Sequence, residues 1–261
     1  MIPKTIHYCW FGHNPKPKLA LKCIKSWKMR CPDYEIIEWN EDNFDISSCP
    51  LYVRQAYEAK KWAFVTDYVR LKVVFDHGGI YMDTDVELKK PLDALLGYQG
   101  YFGFEDGVHI ATGLGFGAVK GLPILQEIMD DYEDIPFIRE DGSFDTETCP
   151  CRNTKVIVRH GLKLDNSKQV LDDDILILPS ECLCPVSYFD GSKNITENTI
   201  SVHWFHASWQ SDELRRKHEE AIERRKTEQR KDYVIHIPNR VVRTILGAER
   251  YEKLKSILKR G

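Results

Sequence analysis

The sequence predicts an α/β domain in which strands and helices alternate around one sheet. Two stretches carry this prediction: residues 4–39 read as strand, helix and strand, and residues 62–82 read as a helix followed by a short apolar strand. Hydrophobic residues make up 42% of the 261 residues and charged residues 30%, which is typical of a globular chain with a sizeable core. The length fits one large domain with an extension.

The first elements follow from β-forming runs and their terminators. Residues 4–11 (KTIHYCWF) are rich in β-formers and precede Gly12, so we expect a first, buried strand. Residues 19–29 have apolar positions near helical spacing and end before Pro32, which predicts a helix. Residues 34–39 (YEIIEW) predict the second strand.

Residues 62–76 form the clearest predicted helix. Its apolar stripe has a spacing of four, three and four residues: Phe64, Tyr68, Leu71 and Phe75. Gly78 suits the left-handed position that ends a helix, and residues 80–82 then read as a strand. Asp83 and Asp85 follow at its carboxyl end, which is where open α/β sheets bind ligands.

The later part of the chain is less regular. Residues 141–150 are predicted as a loop, residues 154–159 and 175–179 as strands, and residues 202–209 as a strand or loop. The glycine-rich residues 113–117 lack the G-x-G-x-x-G spacing, so a dinucleotide site is not supported.

Charge divides the chain into a predicted domain, residues 1–210, and a basic helical tail, residues 211–261. Residues 212–261 hold 15 of the 37 basic and 9 of the 40 acidic residues, so their net charge is +6 and that of the rest is −9. The acidic body argues against nucleic acid as a partner. Residues 212–231 and 241–259 are predicted helices, and we expect this tail to allow peripheral contact with the inner face of a membrane.

The chain start, MIPKTI, lacks the features of a secretion signal, and no apolar run approaches the roughly 18 residues of a membrane span. We therefore expect a cytoplasmic protein whose eight cysteines are reduced thiols. The C-x-C pairs differ from the C-x-x-C spacing of structural zinc sites, so zinc is not favoured.

Asp83-Thr84-Asp85 is the first candidate for chemistry. Two carboxylates at a strand end can hold Mg²⁺ or Mn²⁺, which in turn holds a diphosphate. The bare motif is weak, because residues 172–174 also read D-x-D within an acidic run that predicts a solvated turn. Context favours the first motif, since Asp67 and Arg70 share a helix face just before it. The alternative for that couple is an ordinary surface ion pair.

Several segments together resemble glycosyltransferase family 32, the D-x-D sugar-binding family of capsule and lipopolysaccharide glycosyltransferases. That family is related to fungal mannosyltransferases and to clostridial glucosylating toxins. The segments that carry the resemblance are residues 2–12, 26–27, 32–34, 39–40 and 63–85. The resemblance implies a GT-A fold, a UDP- or GDP-sugar donor, Mn²⁺ or Mg²⁺, and retention of anomeric configuration. It also implies that a hexose is moved to a hydroxyl of a surface polysaccharide, on a glycan or lipid-linked glycan acceptor.

The same resemblance implies roles for individual residues. Trp10 would stack on the donor base, and Tyr81 would support the nucleotide. Asp67 and Arg70 would bind the donor sugar and its phosphate, and Asp83 would contact ribose and sugar. For Trp10 the alternative is core packing.

The metal set is only partly defined by the resemblance. Asp85 would be the firm ligand beside the other D-x-D carboxylate, and the third ligand stays open between His203, His206 and Ser208. Trp209 would close over the phosphates. Packing or hydrogen bonding within the core is the alternative for both histidines and for this tryptophan.

Two other functions compete with the transferase. A nucleotide-sugar pyrophosphorylase or hydrolase needs a basic triphosphate loop near the N-terminus, and residues 12–17 match one poorly. A non-catalytic sugar-binding scaffold would not need the intact set of carboxylates and Arg70. No carboxylate is assigned as a nucleophile.

Overall fold

The computed structural model describes residues 1–205, 216, 220–224, 227 and 246–258. The strands among them are β1 (Thr5–Cys9), β2 (Glu35–Trp39), β3 (Gly79–Tyr81), β4 (Val86–Leu88), β5 (Gly100–Gly103), β6 (Phe116–Ala118), β7 (Gln169–Leu171), β8 (Ile175–Leu178) and β9 (Ser201–His203). The helices are α1 (Lys18–Arg30), α2 (Leu51–Glu58), α3 (Trp62–His77), α4 (Pro123–Asp130), α5 (Cys149–Arg159), α6 (Ser180–Leu183) and α7 (Ala248–Leu258).

Seven strands form one sheet in the order β2-β1-β3-β6-β5-β8-β7. Strands β2, β1, β3, β5 and β8 run in one direction, while β6 and β7 run against them. A separate two-stranded sheet pairs β4 with β9. The mixed, mostly parallel sheet with the D-x-D motif after a central strand confirms the predicted α/β class of GT-A type.

Buried side chains form one core on each face of the large sheet. Two consecutive residues of β3 illustrate this, because Ile80 belongs to the core that contains α1, and Tyr81 belongs to the core that contains α3. A sheet with helices on both faces buries its central strands completely. Consequently only the strand ends are open to a ligand.

His7 ties the first strand to the turn that precedes β3. The indole Nε1 of Trp39 donates to His7 Nδ1 at 3.1 Å, so the ring proton lies on Nε2, which donates to the carbonyl oxygen of Gly78 at 2.8 Å. Gly78 has a φ of 69°, a left-handed conformation that favours glycine. These bonds set where β3 begins and therefore where the D-x-D motif falls.

The predicted helix at residues 62–76 is confirmed by α3, but its buried face differs from the predicted apolar stripe, because half of that stripe is only partly buried. Besides Tyr68 and Leu71, the inner residues Val65, Val69 and Val74 are fully buried. The helix lies between the sheet and helices α2 and α4. Of its polar residues, Asp67 and Arg70 are therefore enclosed by protein.

The predicted strand at residues 154–159 is wrong, because this segment lies in α5. Its β-branched run, TKVIVR, favours a strand locally. Pro150 occupies the first turn of α5, where proline suits a helix start. Buried positions recur at helical spacing through Asn153, Val156 and Ile157. Burial of that helical face outweighs the local preference.

Other predictions are confirmed by the structure. Residues 172–174 form an exposed turn, and the strand predicted at residues 175–179 corresponds to β8. The first strand, first helix and second strand predicted in residues 4–39 correspond to β1, α1 and β2.

The chain divides into two compact units. The first comprises Met1–Tyr188 and Ser192–Trp209, and the second comprises Phe189–Gly191 and Gln210–Gly261. Helix α7 confirms part of the helix predicted at residues 241–259, whereas most of residues 212–231 lie outside the described residues. The predicted boundary at residue 210, between a catalytic domain and a basic helical tail, stays a prediction. No helix in the described part of the chain has the length and apolar character to cross a membrane.

Candidate active site

The site lies where the central parallel strands end. Asp83 comes two residues after β3, and its backbone N–H donates to the carbonyl oxygen of Gly113 at 3.2 Å. Trp10 follows the neighbouring strand β1 directly. Parallel neighbours end at the same edge of a sheet, so these residues share that edge, as the sequence predicts.

Arg70 joins the two acidic positions of the site. Its Nη2 lies 3.0 Å from Asp67 Oδ1 and 3.4 Å from Asp83 Oδ1, and its Nε donates to the carbonyl oxygen of Thr66 at 3.0 Å. The Arg70 side chain is only 4% exposed. The surface ion pair considered above is thus excluded, and the pair faces the strand end.

Burial and charge act against each other in this group. Burial raises the pKa of Asp67 and of Asp83, and the guanidinium of Arg70 opposes both shifts. Burial disfavours the charge on Arg70, but Asp83 and Asp67 outweigh it and raise the pKa of Arg70. The carboxylates of Asp67 and Asp83 therefore share one buried positive charge, the guanidinium of Arg70. This arrangement is suited to receiving a further positive ion or a ligand.

Tyr81 and Cys149 complete the surroundings of Arg70. The hydroxyl of Tyr81 donates to Asp83 Oδ1 at 2.9 Å, and the Arg70 guanidinium lies 5.2 Å from the Tyr81 ring centre. Arg70 Nη1 lies 3.8 Å from Cys149 Sγ, and the thiol hydrogen-bonds Asp67. Tyr81 is 1% exposed, so the structure places it beneath the acidic group.

His203 reaches the D-x-D motif through the small sheet. Strands β4 and β9 pair with Val86 opposite His203, which brings the imidazole beside Asp85. His203 Nε2 lies 3.1 Å from Asp85 Oδ1. Burial opposes charge on His203, but Asp85 outweighs it and raises the pKa of His203 well above its usual range.

Asp83, Asp85 and His203 offer ligand atoms that all lie within 4.8 Å of one another, a group found by searching the described residues. Two ligands on opposite sides of Mg²⁺ lie about 4.2 Å apart. Two carboxylates and an imidazole are donors that Mn²⁺ and Mg²⁺ accept in proteins. The donor set therefore fits one divalent cation after a small shift, and that cation would replace the proton on His203.

Trp10 lies at the site edge with its ring partly exposed. Its Nε1 donates to the carbonyl oxygen of Asn14 at 2.6 Å, and Lys16 Nζ lies 5.5 Å from the ring centre. The ring is thus fixed in orientation without being enclosed. Three further candidates from the sequence lie outside the described residues: His206, Ser208 and Trp209.

Three residues of the site escaped the sequence analysis. A Cβ on Gly113 would lie 2.4 Å from Asp83 Oδ2 and 2.9 Å from Arg70 Nη1, so only glycine fits there. Glu105 interacts with Asp83 and His203, and burial raises its pKa. Cys149 comes from α5. The glycine-rich sequence of residues 113–117 could have pointed to Gly113. No sequence pattern pointed to Glu105 or Cys149.

The chain is similar in sequence to known glycosyltransferases. Residues 17–101 match the sequence model of the family described as "Glycosyltransferase sugar-binding region containing DXD motif". Inositol phosphoceramide mannosyltransferase 3 of Schizosaccharomyces pombe is 30% identical over 140 residues, covering 52% of this chain and 38% of that protein. Subversion of eukaryotic traffic protein A of Legionella pneumophila is 24% identical over 191 residues, covering 59% of this chain and 28% of that protein. The chain thus spans well under half of these relatives.

Two solved structures with low similarity to this chain are glycosyltransferases by name. A PaToxG glycosyltransferase has a TM-score of 0.45 at 19% identity, over 60% of this chain and 69% of that one. A glycosyltransferase involved in glycosylation of the major capsid of PBCV-1 has a TM-score of 0.42 at 13% identity, over 84% and 98%. With Asp67, Arg70 and the D-x-D motif inside the matched segment, the resemblance to glycosyltransferase family 32 is confirmed: residues 17–101 match a glycosyltransferase sugar-binding region of the D-x-D type.

Proposed function

We propose that this protein is a metal-dependent glycosyltransferase that moves a hexose from a UDP- or GDP-sugar to an acceptor hydroxyl. The observation that carries the proposal is that a cluster of potential metal ligands and a buried ion pair lie in contact at one edge of the sheet. The cluster of Asp83, Asp85 and His203 can take a divalent cation, and the buried pair of Asp67 and Arg70 touches it through Asp83.

Each part of this arrangement suits a part of the donor. Arg70 presents a fixed cation to a phosphate, and Asp67 can accept hydrogen bonds from sugar hydroxyls. The half-exposed ring of Trp10 can stack on the base. A bound Mn²⁺ or Mg²⁺ would offset negative charge on the diphosphate that leaves. The protein would act mainly by positioning donor and acceptor.

The finer features of the proposal rest on the family resemblance and on the relatives. Several curated relatives are mannosyltransferases by name, which supports a hexose donor. Retention of anomeric configuration is proposed from the family alone. The proposed acceptor is a surface polysaccharide or its lipid-linked precursor, and the proposed location is the cytoplasm, with contact at the inner face of the cell membrane.

The test is the loss of cation binding and of activity in Asp85→Asn. Removing one charged ligand should lower the rate at least about 100-fold, the scale of losing one transition-state stabiliser. Activity is followed as sugar transfer or slow hydrolysis from a panel of UDP- and GDP-hexoses with Mn²⁺. Cation binding is measured separately by calorimetry with Mn²⁺ alone.

The chain offers a matched control in its second D-x-D motif. Asp174→Asn makes the same chemical change in the exposed turn at residues 172–174 and should leave Mn²⁺ affinity and rate unchanged. Full activity in EDTA, or in Asp85→Asn, would overturn the proposal.

A further inference from the structure

Helix α1 presents an exposed basic face that the proposed reaction does not use. Its exposed side chains other than Arg30 fall, at about 100° per residue, within an arc of about 120°. We call these residues the α1 face: Lys18, Leu21, Lys22, Lys25, Lys28 and Met29. The opposite side of the helix is buried through Cys23 and Trp27. The helix is therefore held firmly by one side and free along the other.

The positive charge of the α1 face is largely uncompensated. Helix α1 has five basic residues and no acidic residue, in a chain whose net charge is −3. Lys22 pairs with Glu87 at 3.0 Å, a carboxylate that Lys89 also approaches at 2.8 Å. Within the described part of the chain, the ion pairs include none with Lys18, Lys25 or Lys28.

Two large apolar side chains lie among these lysines. Leu21 is 55% exposed and Met29 is 62% exposed. A single exposed apolar residue is ordinary on a protein surface. Here both fall in the same arc as the lysines, and lysines interspersed with apolar side chains on one helix face are typical of helices that lie on anionic membranes.

The α1 face also borders the site. Lys22 Nζ lies 5.6 Å from the ring centre of Trp204. The backbone N–H of Trp204 donates to the carbonyl oxygen of Asp85 at 3.1 Å, and Trp204 directly follows His203. A surface that held the α1 face would thus lie next to the metal-binding cluster.

We propose that the α1 face docks the protein on an anionic lipid bilayer. The lysines meet the lipid phosphates, and Leu21 and Met29 enter the boundary between headgroups and acyl chains. An acidic polymer in water would attract the lysines but would make no use of the two apolar side chains. The proposal concerns binding alone and holds whether or not the protein transfers sugar.

Vesicle co-sedimentation of the full chain tests the proposal. Each lysine near an anionic surface changes partitioning roughly fivefold, so Lys18→Gln, Lys25→Gln and Lys28→Gln together should weaken binding up to about 100-fold at low salt. The vesicles contain phosphatidylglycerol, and pure phosphatidylcholine vesicles should recover little wild-type protein. Leu21→Ser with Met29→Ser should also lower binding, by at least about tenfold, through loss of apolar burial.

A matched control lies at the far edge of the large sheet, beside and within β7. Lys163, Lys168, Leu164 and Val170 are exposed there. Replacing these two lysines by Gln and the two apolar residues by Ser should leave vesicle binding unchanged. Equal sedimentation of wild type and the triple Lys→Gln variant would overturn the proposal. Loss of binding in that variant, with full binding in Leu21→Ser with Met29→Ser, would overturn it in favour of a general anion-binding face.

Discussion

The buried imidazole of His7 predicts a specific dependence of stability on pH. Its Nδ1 accepts from Trp39 and its Nε2–H donates to Gly78, so the folded protein needs the neutral ring. Burial lowers the pKa of His7 from 6.5 to about 4, against the opposing hydrogen bond to Gly78. In the unfolded chain the ring should titrate normally. The folded state therefore binds fewer protons than the unfolded state between these two values.

The sign and size follow from this difference. Above pH 6.5 both states are neutral at His7, and its contribution does not change with pH. As the pH falls from 6.5 to 4, only the unfolded state gains the proton, so the free energy of unfolding decreases. One pKa unit corresponds to about 1.4 kcal/mol, so the full loss is about 3.4 kcal/mol, of which about 2 kcal/mol has appeared by pH 5.

Urea unfolding of wild type and His7→Gln at pH 8 and pH 5 measures the effect. Gln can still donate an amide N–H to Gly78 but cannot gain a charge. The decrease in unfolding free energy between the two pH values should be about 2 kcal/mol smaller in His7→Gln than in wild type. His13→Gln, at an exposed position, controls for the loss of a histidine as such. Equal decreases in wild type and His7→Gln would refute the reasoning.

Three further outcomes are expected. Trp10→Ala should raise the donor Kd about 5- to 150-fold in calorimetry while the protein stays folded, since base stacking is worth about 1–3 kcal/mol; unchanged affinity, or unfolding, would show that the ring serves packing. Gly113→Ala should cost about 100-fold in rate, because its Cβ would displace Asp83 and Arg70, whereas Gly97→Ala has open space and should be silent. Arg70→Met should lower the unfolding free energy by about 3–5 kcal/mol, with partial recovery on adding Asp67→Asn, and a wild-type urea midpoint would contradict the buried ion pair.

Local patterns in the sequence were enough to predict the helix and the strand that position the D-x-D motif. The period of α3, the glycines after it and the short apolar strand β3 are all read within about 25 residues of chain. Asp67 and Arg70 could be placed on one face because helical spacing alone decides it. The same local logic failed at residues 154–159, since a short β-branched run fits either a strand or a buried helix.

What the tertiary structure alone decided is which distant residues meet at the motif. His203 reaches Asp85 because β9 pairs with β4, and Cys149 reaches Arg70 because helix α5 begins at the site. Gly113 is needed only because a neighbouring carboxylate and guanidinium fill the space a Cβ would take. Such contacts depend on packing between segments far apart in the chain, and no local period in the sequence records that packing.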